Sequence, residues 1–310
     1  MDRKLTSVVL SLVGVLVFFL LIIWIGGRMN ESLQLDETAL LRFVFVIIGL
    51  LIVFVVFYLT RDNEIWQVGT REVVYMAIGA ALYAVLSFLF NGTVFVVPSV
   101  SQVALRPAIV IPMFFGYTFG PVVGFFTGAV GNMFGDALTG FGLSPQWSIG
   151  NGLVGMVAGM VFLFKDKKRS LDTVLVVSGA LAALASLIYL LNRNVPNMLY
   201  YDVDNNIFGD AQISLIAGLS LGIGFLLILA VRYFYRKNLE VTAAVTWAML
   251  GNIIGIGFAA ISDIWINGFT FPVAIVGEFI PAAGPNLIFA AVLLPLLVIA
   301  YQSVRRQSGR

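Results

Sequence analysis

The 310-residue chain contains no cysteine and no histidine. The first absence excludes disulfides, thiolate metal sites and redox-active cysteine pairs. The second removes the commonest general base and the commonest metal ligand, and with them a Ser-His triad, an intramembrane zinc site and a His-ligated haem. Charge is scarce too: Asp, Glu, Lys and Arg make up 11% of the residues. No G-x-x-x-x-G-K-[ST] stretch occurs, so the chain has no phosphate-cradling loop of that type for a nucleotide. The pairs Gly131–Asn132, Gly150–Asn151 and Gly251–Asn252 are suggestive but too short to establish an internal repeat.

Apolar residues dominate instead, at 60% of the chain with a mean hydropathy of +1.00. That lies far outside the usage of soluble domains. The repeated apolar runs predict an all-α integral membrane protein in the lipid bilayer, with about ten spans near 5–25, 38–60, 72–90, 104–119, 121–138, 147–164, 174–191, 211–231, 241–262 and 282–303. The run after Met1–Lys4 is longer than the apolar region of a signal peptide and no small-x-small site follows it, so it reads as a retained helix. With the N-terminus in the cytoplasm, all but Arg28, Arg42, Arg106 and Arg193 of the 18 Lys and Arg residues fall on the inner side. Loop charge asymmetry of that kind orients membrane proteins. It predicts a multi-pass cell-membrane protein with both ends cytoplasmic. The basic residues then need no nucleic acid to explain them.

Residues 1–63 read as an N-terminal transmembrane hairpin, either a lipid-facing anchor or a packing pair, and 64–310 as the main membrane domain. The polar linker RDNEIWQVGTRE (61–72) marks the boundary. The segment KDKKRSLD (165–172) reads as an inner loop, a topology signal or else a dock for a cytoplasmic partner. The outer connection NRNVPNMLYYDVDNNIFGD (192–210) is a solvated linker or a lid.

Chemistry concentrates between Arg106 and Phe164. Asp136 lies one turn after Asn132, so both share a helix face. A carboxylate on a membrane helix is costly and usually functional. A span beginning at Pro121 on the inner side runs about 27 Å to Leu138, which places Asp136 near the outer surface. Arg106 opens the preceding span there, and Trp147 and Asn151 open the following one after the Gly/Pro loop TGFGLSPQ. Asp263 and Trp265 end the ninth span, Glu278 precedes the tenth, and Asn286 lies about two turns inside. Polar groups from five spans at one level predict a hydrated solute cavity beneath the outer rim. Each residue also has a structural alternative. Arg106 can pair with Asp136 or snorkel, Asp263 and Glu278 can be solvated, and Trp147 and Trp265 fit an interfacial belt. Asn132 and Asn151 can be interhelical hydrogen bonds worth ~0.6 kcal/mol each. The spacings Gly124-x-x-x-Gly128, Gly131-x-x-x-Gly135 and Gly155-x-x-x-Gly159 permit close helix approach. The small residues of Ala77-x-x-x-Ala81 and Ala80-x-x-x-Ala84 favour internal packing on spacing alone, with a partner helix as the alternative.

The stretch 72–164 resembles the substrate-specific S component of energy-coupling factor (ECF) vitamin transporters. The resemblance is carried by Ala77, Ala81 and Ala84, the RPAIVIP opening, the turn FGYTFGPVVG and the helix ending GNMFGD; GPNLIFAAVLLPLLVIAY is similar to the family's last helix. It implies a six-helix core, here with two extra helix pairs: the hairpin at 5–60 and an insertion at about 170–238 whose helices lie at 174–231. It implies binding of a vitamin or precursor from outside, with delivery by toppling onto a shared transmembrane coupling subunit that carries two ATPases. It implies no catalysis, no cofactor and no metal. The alanine stripe would then face the coupling subunit, and toppling would require the four added helices to move with the core or stay aside. Asn91, Gln146, Trp147, Asn151, Asp263 and Asn286 fall where the family gathers its binding residues. Arg106, Asn132, Asp136, Trp265 and Glu278 complete the candidate set on the residue reading above. One guanidinium against three carboxylates suits an amine-bearing or hydrogen-bond-rich heterocycle, and a flavin-like and a thiamine-precursor-like ligand both remain open. The alternative function is a self-sufficient proton- or sodium-coupled secondary transporter with Asp136, Asp263 or Glu278 as the ion site. A membrane enzyme working through carboxylates alone is the weakest of the three classes.

Overall fold

The structure, a computed structural model, describes residues 3–90, 99–100, 103–140, 142–195, 201–202, 207–208 and 212–308. Its helices are α1 (Arg3–Met29), α2 (Ala39–Thr60), α3 (Thr70–Phe88), α4 (Val110–Phe119), α5 (Pro121–Thr139), α6 (Pro145–Gly159), α7 (Lys167–Leu191), α8 (Leu215–Gly218), α9 (Ser220–Phe234), α10 (Leu239–Ile266) and α11 (Ile280–Gln307). Two short antiparallel pairings join Ser99–Val100 to Val103–Ala104 and Tyr201–Asp202 to Ile207–Phe208. The fold is all-α, as expected.

Among the described residues, seven helices are long and apolar enough to cross a membrane: α1, α2, α3, the run Pro145–Leu163, α7, α10 and the run Val273–Gln307. The expected ten is approached by adding the shorter apolar helices Pro107–Phe119 and Ser220–Phe234 and the polar-bearing α5. Glycines, Asn132 and Asp136 lower the hydropathy of α5, yet most of its residues are buried inside the protein. One loop expectation is corrected. Asp166 accepts a hydrogen bond from the Arg169 amide and caps α7, so most of the segment 165–172 forms that helix's first turns rather than an inner loop. The 61–72 linker is folded as well: Asn63 caps a single turn, Glu64–Trp66, and Trp66 is fully buried with its Nε1 donating to Thr60 Oγ1 at 2.9 Å.

The first two helices touch each other little. α1 packs on α5, where Phe18 meets Phe126 edge-on at 5.8 Å. α2 packs on α6 and α10, where Phe45 meets Phe258 at 6.3 Å. Between lipid-immersed helices association follows close packing rather than hydrophobicity, and the surfaces of α5 and α6 offer the smaller residues. On the other flank α7 and α9 pack on α10 and α11. Arg232 of α9 ties that flank together, reaching Asp172 at 3.0 Å and donating to Thr246 Oγ1 at 3.3 Å. α1 and α2 on one flank and α7 and α9 on the other therefore brace a central group made of α3–α6, α10 and α11.

Glycine sets how closely that central group packs. A Cβ on Gly155 of α6 would collide with the Gly124 carbonyl of α5, and one on Gly116 of α4 with the Gly155 carbonyl. Backbone meets backbone here, so no side chain can yield. Gly155→Val is expected to cost about 3 kcal/mol or more, checked by the yield and melting temperature of the detergent-purified protein. The small residues of α3 divide between two faces. Ala80 packs against Gly131 of α5, whereas Ala77 and Ala81 are exposed and line an apolar outward groove walled by Leu10, Gly14 and Phe18 of α1. Ala84 is buried and borders the same groove.

Candidate functional site

A cavity of about 290 Å³ opens among α2, α5, α6, α10 and the run Val273–Gln307. It lies at the lower end of the roughly 300–1,000 Å³ typical of small-molecule pockets. Eight of the expected residues line it: Arg106, Asp136, Gln146, Trp147, Asn151, Asp263, Glu278 and Asn286.

One wall is a single hydrogen-bonded unit. Pro107 begins a turn, Pro107–Ile109, that sets Arg106 at the mouth of α4. Arg106 Nη2 meets Asp136 Oδ1 at 3.0 Å, and Nη1 donates to Asn132 Oδ1 at 2.6 Å. Asn132 Nδ2 in turn donates to Asp136 Oδ2 at 2.9 Å and to Ser148 Oγ at 3.0 Å. Asn151 Nδ2 donates to Asn132 Oδ1 at 3.0 Å and to the Trp147 carbonyl at 3.1 Å. The i, i+4 spacing on α5 thus makes Asn132 a hub between guanidinium and carboxylate. Asn132 is fully buried behind the cavity wall, so it positions Arg106, Asp136 and Asn151 and does not itself line the cavity.

The opposite wall is built around Asp263 of α10. Trp147 Nε1 donates to Asp263 Oδ2 at 2.7 Å and Gln146 Nε2 to Oδ1 at 3.1 Å. Arg42 Nη1 donates to Gln146 Oε1 at 3.4 Å. Arg42 also contacts Asp36 at 3.5 Å, and its Nε donates to Thr38 Oγ1 at 2.8 Å. Hydrogen bonds from Thr38, aided by the Arg42 charge, hold the Asp36 carboxyl below its ordinary value, so it remains ionised beside that guanidinium. Glu278 enters from a π-helical turn, Val273–Phe279, immediately before α11. Asn286 Nδ2 donates to Asn252 Oδ1 at 2.9 Å, and Asn252 Nδ2 donates to the Ala283 carbonyl at 2.8 Å.

Trp265 is not brought to the cavity. It is 58% exposed on the outer face of α10, with its ring 5.7 Å from that of Phe45. Two residues along a helix turn a side chain through about 200°, so Asp263 and Trp265 cannot both face inward. Asn91 lies outside the described residues. Sequence reasoning missed Arg42, Asn267 and Ser144 as lining residues and Asn252 as the support of Asn286. Arg42 did leave a signal, as one of four basic residues on the side that charge asymmetry keeps poor in them.

Replacing Trp147 with Phe would leave the Asp263 Oδ2 atom without its shortest partner. An unsatisfied buried acceptor costs about 1–3 kcal/mol, so Trp147→Phe is expected to lower the melting temperature of the purified protein. An unchanged melting curve would mean that water replaces the indole.

A polar chamber walled by side chains from separate spans marks the class, an integral membrane protein with a polar internal cavity. The family comparison narrows that class. Residues 67–209 match the family model described as ECF-type riboflavin transporter, S component. The UPF0397 protein of Vibrio atlanticus is 31% identical over 191 residues, covering 98% of its own length and 57% of this chain. The UPF0397 protein of Aliivibrio salmonicida is 30% identical over 183 residues, covering 92% and 56% respectively. No solved structure matches the chain. This chain belongs to the ECF-type riboflavin transporter S-component family. Little more than half of this chain matches these two relatives almost end to end. The family match runs past residue 164 through α7, one of the two helices expected as an insertion.

Proposed function

We propose that this protein is the membrane-embedded substrate-binding subunit for uptake of a small water-soluble vitamin or vitamin precursor, captured from outside and delivered with an energy-coupling ATPase module. The observation that carries this reading is the cavity, which gathers ten polar or charged side chains, including those of Arg42, Arg106, Asp136, Asp263 and Glu278, in a chain of the S-component family. Arg106, Asp136, Gln146, Trp147, Asn151, Asp263, Glu278 and Asn286 are its ligand-facing residues, with Asn132 as their positioning hub. The exposed Ala77 and Ala81, with Ala84 beside them, form the face offered to a transmembrane coupling subunit with its two ATPases. Both chain ends lie in the cytoplasm, which puts the cavity at the outer leaflet. Smooth small-residue surfaces let a partner helix approach closely in lipid, which supports the assignment of the α3 groove.

The test is uptake of radiolabelled riboflavin and thiamine into proteoliposomes, with and without coupling subunit, ATPases and ATP. Uptake that requires the added subunits and ATP is the expected result. Accumulation by this protein alone under a proton or sodium gradient would replace the reading with a secondary transporter.

A further inference from the structure

The two walls of the cavity differ in how their charges are answered. Asp136 has Arg106 at 3.0 Å. Asp263 has neutral donors on both oxygens, from Trp147 and Gln146, and Glu278 lies within hydrogen-bonding reach of it. Glu278 is 4% exposed, and its Oε2 has no hydrogen-bond partner among the described residues. Neither Asp263 nor Glu278 has an ion-pair partner there: Arg106 is committed to Asp136, and Arg42 pairs with Asp36 and reaches Asp263 through Gln146. Three carboxyl groups therefore line the cavity against two guanidinium groups. Two buried carboxyl groups side by side are expensive unless a proton or a cation lies between them. The segment that carries Glu278 is π-helical, a geometry that appears mostly as local insertions and often at functional sites. Pro281 and Pro285 follow one and two turns later, and neither can donate a backbone hydrogen bond to its preceding turn.

We propose that Asp263 and Glu278 form a subsite for a cationic, N–H-bearing group, so that the ligand is a small nitrogenous heterocycle carrying a protonated amine or an amidine-like edge. The inference rests on the uptake reading above and specifies the chemistry of the same cavity. The free Glu278 oxygen supplies the acceptor, and Asp263, held rigid by Trp147 and Gln146, supplies the second. An anionic vitamin would meet these carboxyls without a compensating charge beside them. The α5 wall, whose Arg106–Asp136 pair is already neutralised, is left for neutral hydrogen bonding and orientation.

The test uses the full-length protein in nanodiscs, titrated by quenching of tryptophan fluorescence. Thiamine, whose aminopyrimidine offers the amidine-like N–H edge and whose thiazolium carries the charge, is the cationic probe, riboflavin the neutral one and pantothenate the anionic one. Thiamine is expected to bind, and Glu278→Gln to weaken it at least about thirtyfold through loss of a charged hydrogen bond. The melting temperature of ligand-free Glu278→Gln is expected to stay level or rise, because the variant relieves crowding of the two carboxyls. On the unaltered protein, benzamidine is expected to displace thiamine while benzoate of similar size does not. Equal affinity of both proteins for thiamine, no thiamine binding, or equal displacement by benzamidine and benzoate would overturn the subsite. Tight binding of riboflavin or pantothenate with no effect of Glu278→Gln would also overturn it while leaving the uptake reading intact. Failure of that reading would appear in the proteoliposome assay instead.

Discussion

Arg106→Ala is expected to destabilise the protein by about 3–5 kcal/mol, the range for removing one partner of a buried ion pair. The guanidinium answers Asp136 and Asn132 together, and the Asp136 side chain is only 7% exposed. Alanine would leave that carboxylate facing a membrane-embedded wall with the Asn132 amide as its remaining side-chain donor. The loss spreads further, because Asn132 Oδ1 also receives Asn151. Adding Asp136→Asn to Arg106→Ala removes the stranded charge and is expected to recover most of the stability. Melting curves of the four proteins in one detergent complete a double-mutant cycle. If Arg106→Ala melts with the unaltered protein, the cavity wall is far wetter than its burial implies.

The second large effect falls on the opposite face of α5. Ala81→Trp would fill the groove between α3 and α1 without touching the cavity. With a coupling subunit seated on that groove, the indole blocks close helix approach, and ATP-driven uptake should fall by at least tenfold while ligand affinity in nanodiscs stays unchanged. Co-purification with the tagged coupling subunit provides the direct readout. Normal uptake by Ala81→Trp would remove this groove as the docking face.

The parts of the site set by helical period were legible in the sequence. Asn132 and Asp136 sit four apart and do share a face, and the spacings Gly124–Gly128 and Gly155–Gly159 do mark backbone-to-backbone crossings. Asp263 and Trp265, two apart on one continuous helix, could have been separated by the same rule. Arg42 was harder to read, because a lipid-facing hairpin and two helices lying separately on α5 and α6 share one hydropathy profile. Which neighbour a membrane helix chooses depends on the relief of both surfaces, and α2 is almost wholly apolar apart from Arg42. Glu278 was expected among the site residues and does line the cavity, but its direction was not readable. A π-helical turn alters the angular phase of every side chain in it, and no residue in VAIVGEF announces that geometry. The start of α7 was hidden for another reason: a basic run reads as a topology signal whether it is coiled or helical, and a single capping carboxylate at Asp166 decides between them.

Arg42 leaves the cavity wall through Asp36 and Thr38, in the segment that joins α1 to α2. That same segment is pinned to the end of α5, where Ser32 Oγ donates to the Gly140 carbonyl at 2.8 Å. The joining strap therefore behaves as an outrigger lashed to the hull at two points. Any tilt of the core in the bilayer would drag both N-terminal helices through the lipid, sweeping a wider wake than six helices alone. The speed of such a tilt would then track membrane viscosity, and stiffer, more saturated lipids would slow it more than they slow a relative without the extra beam.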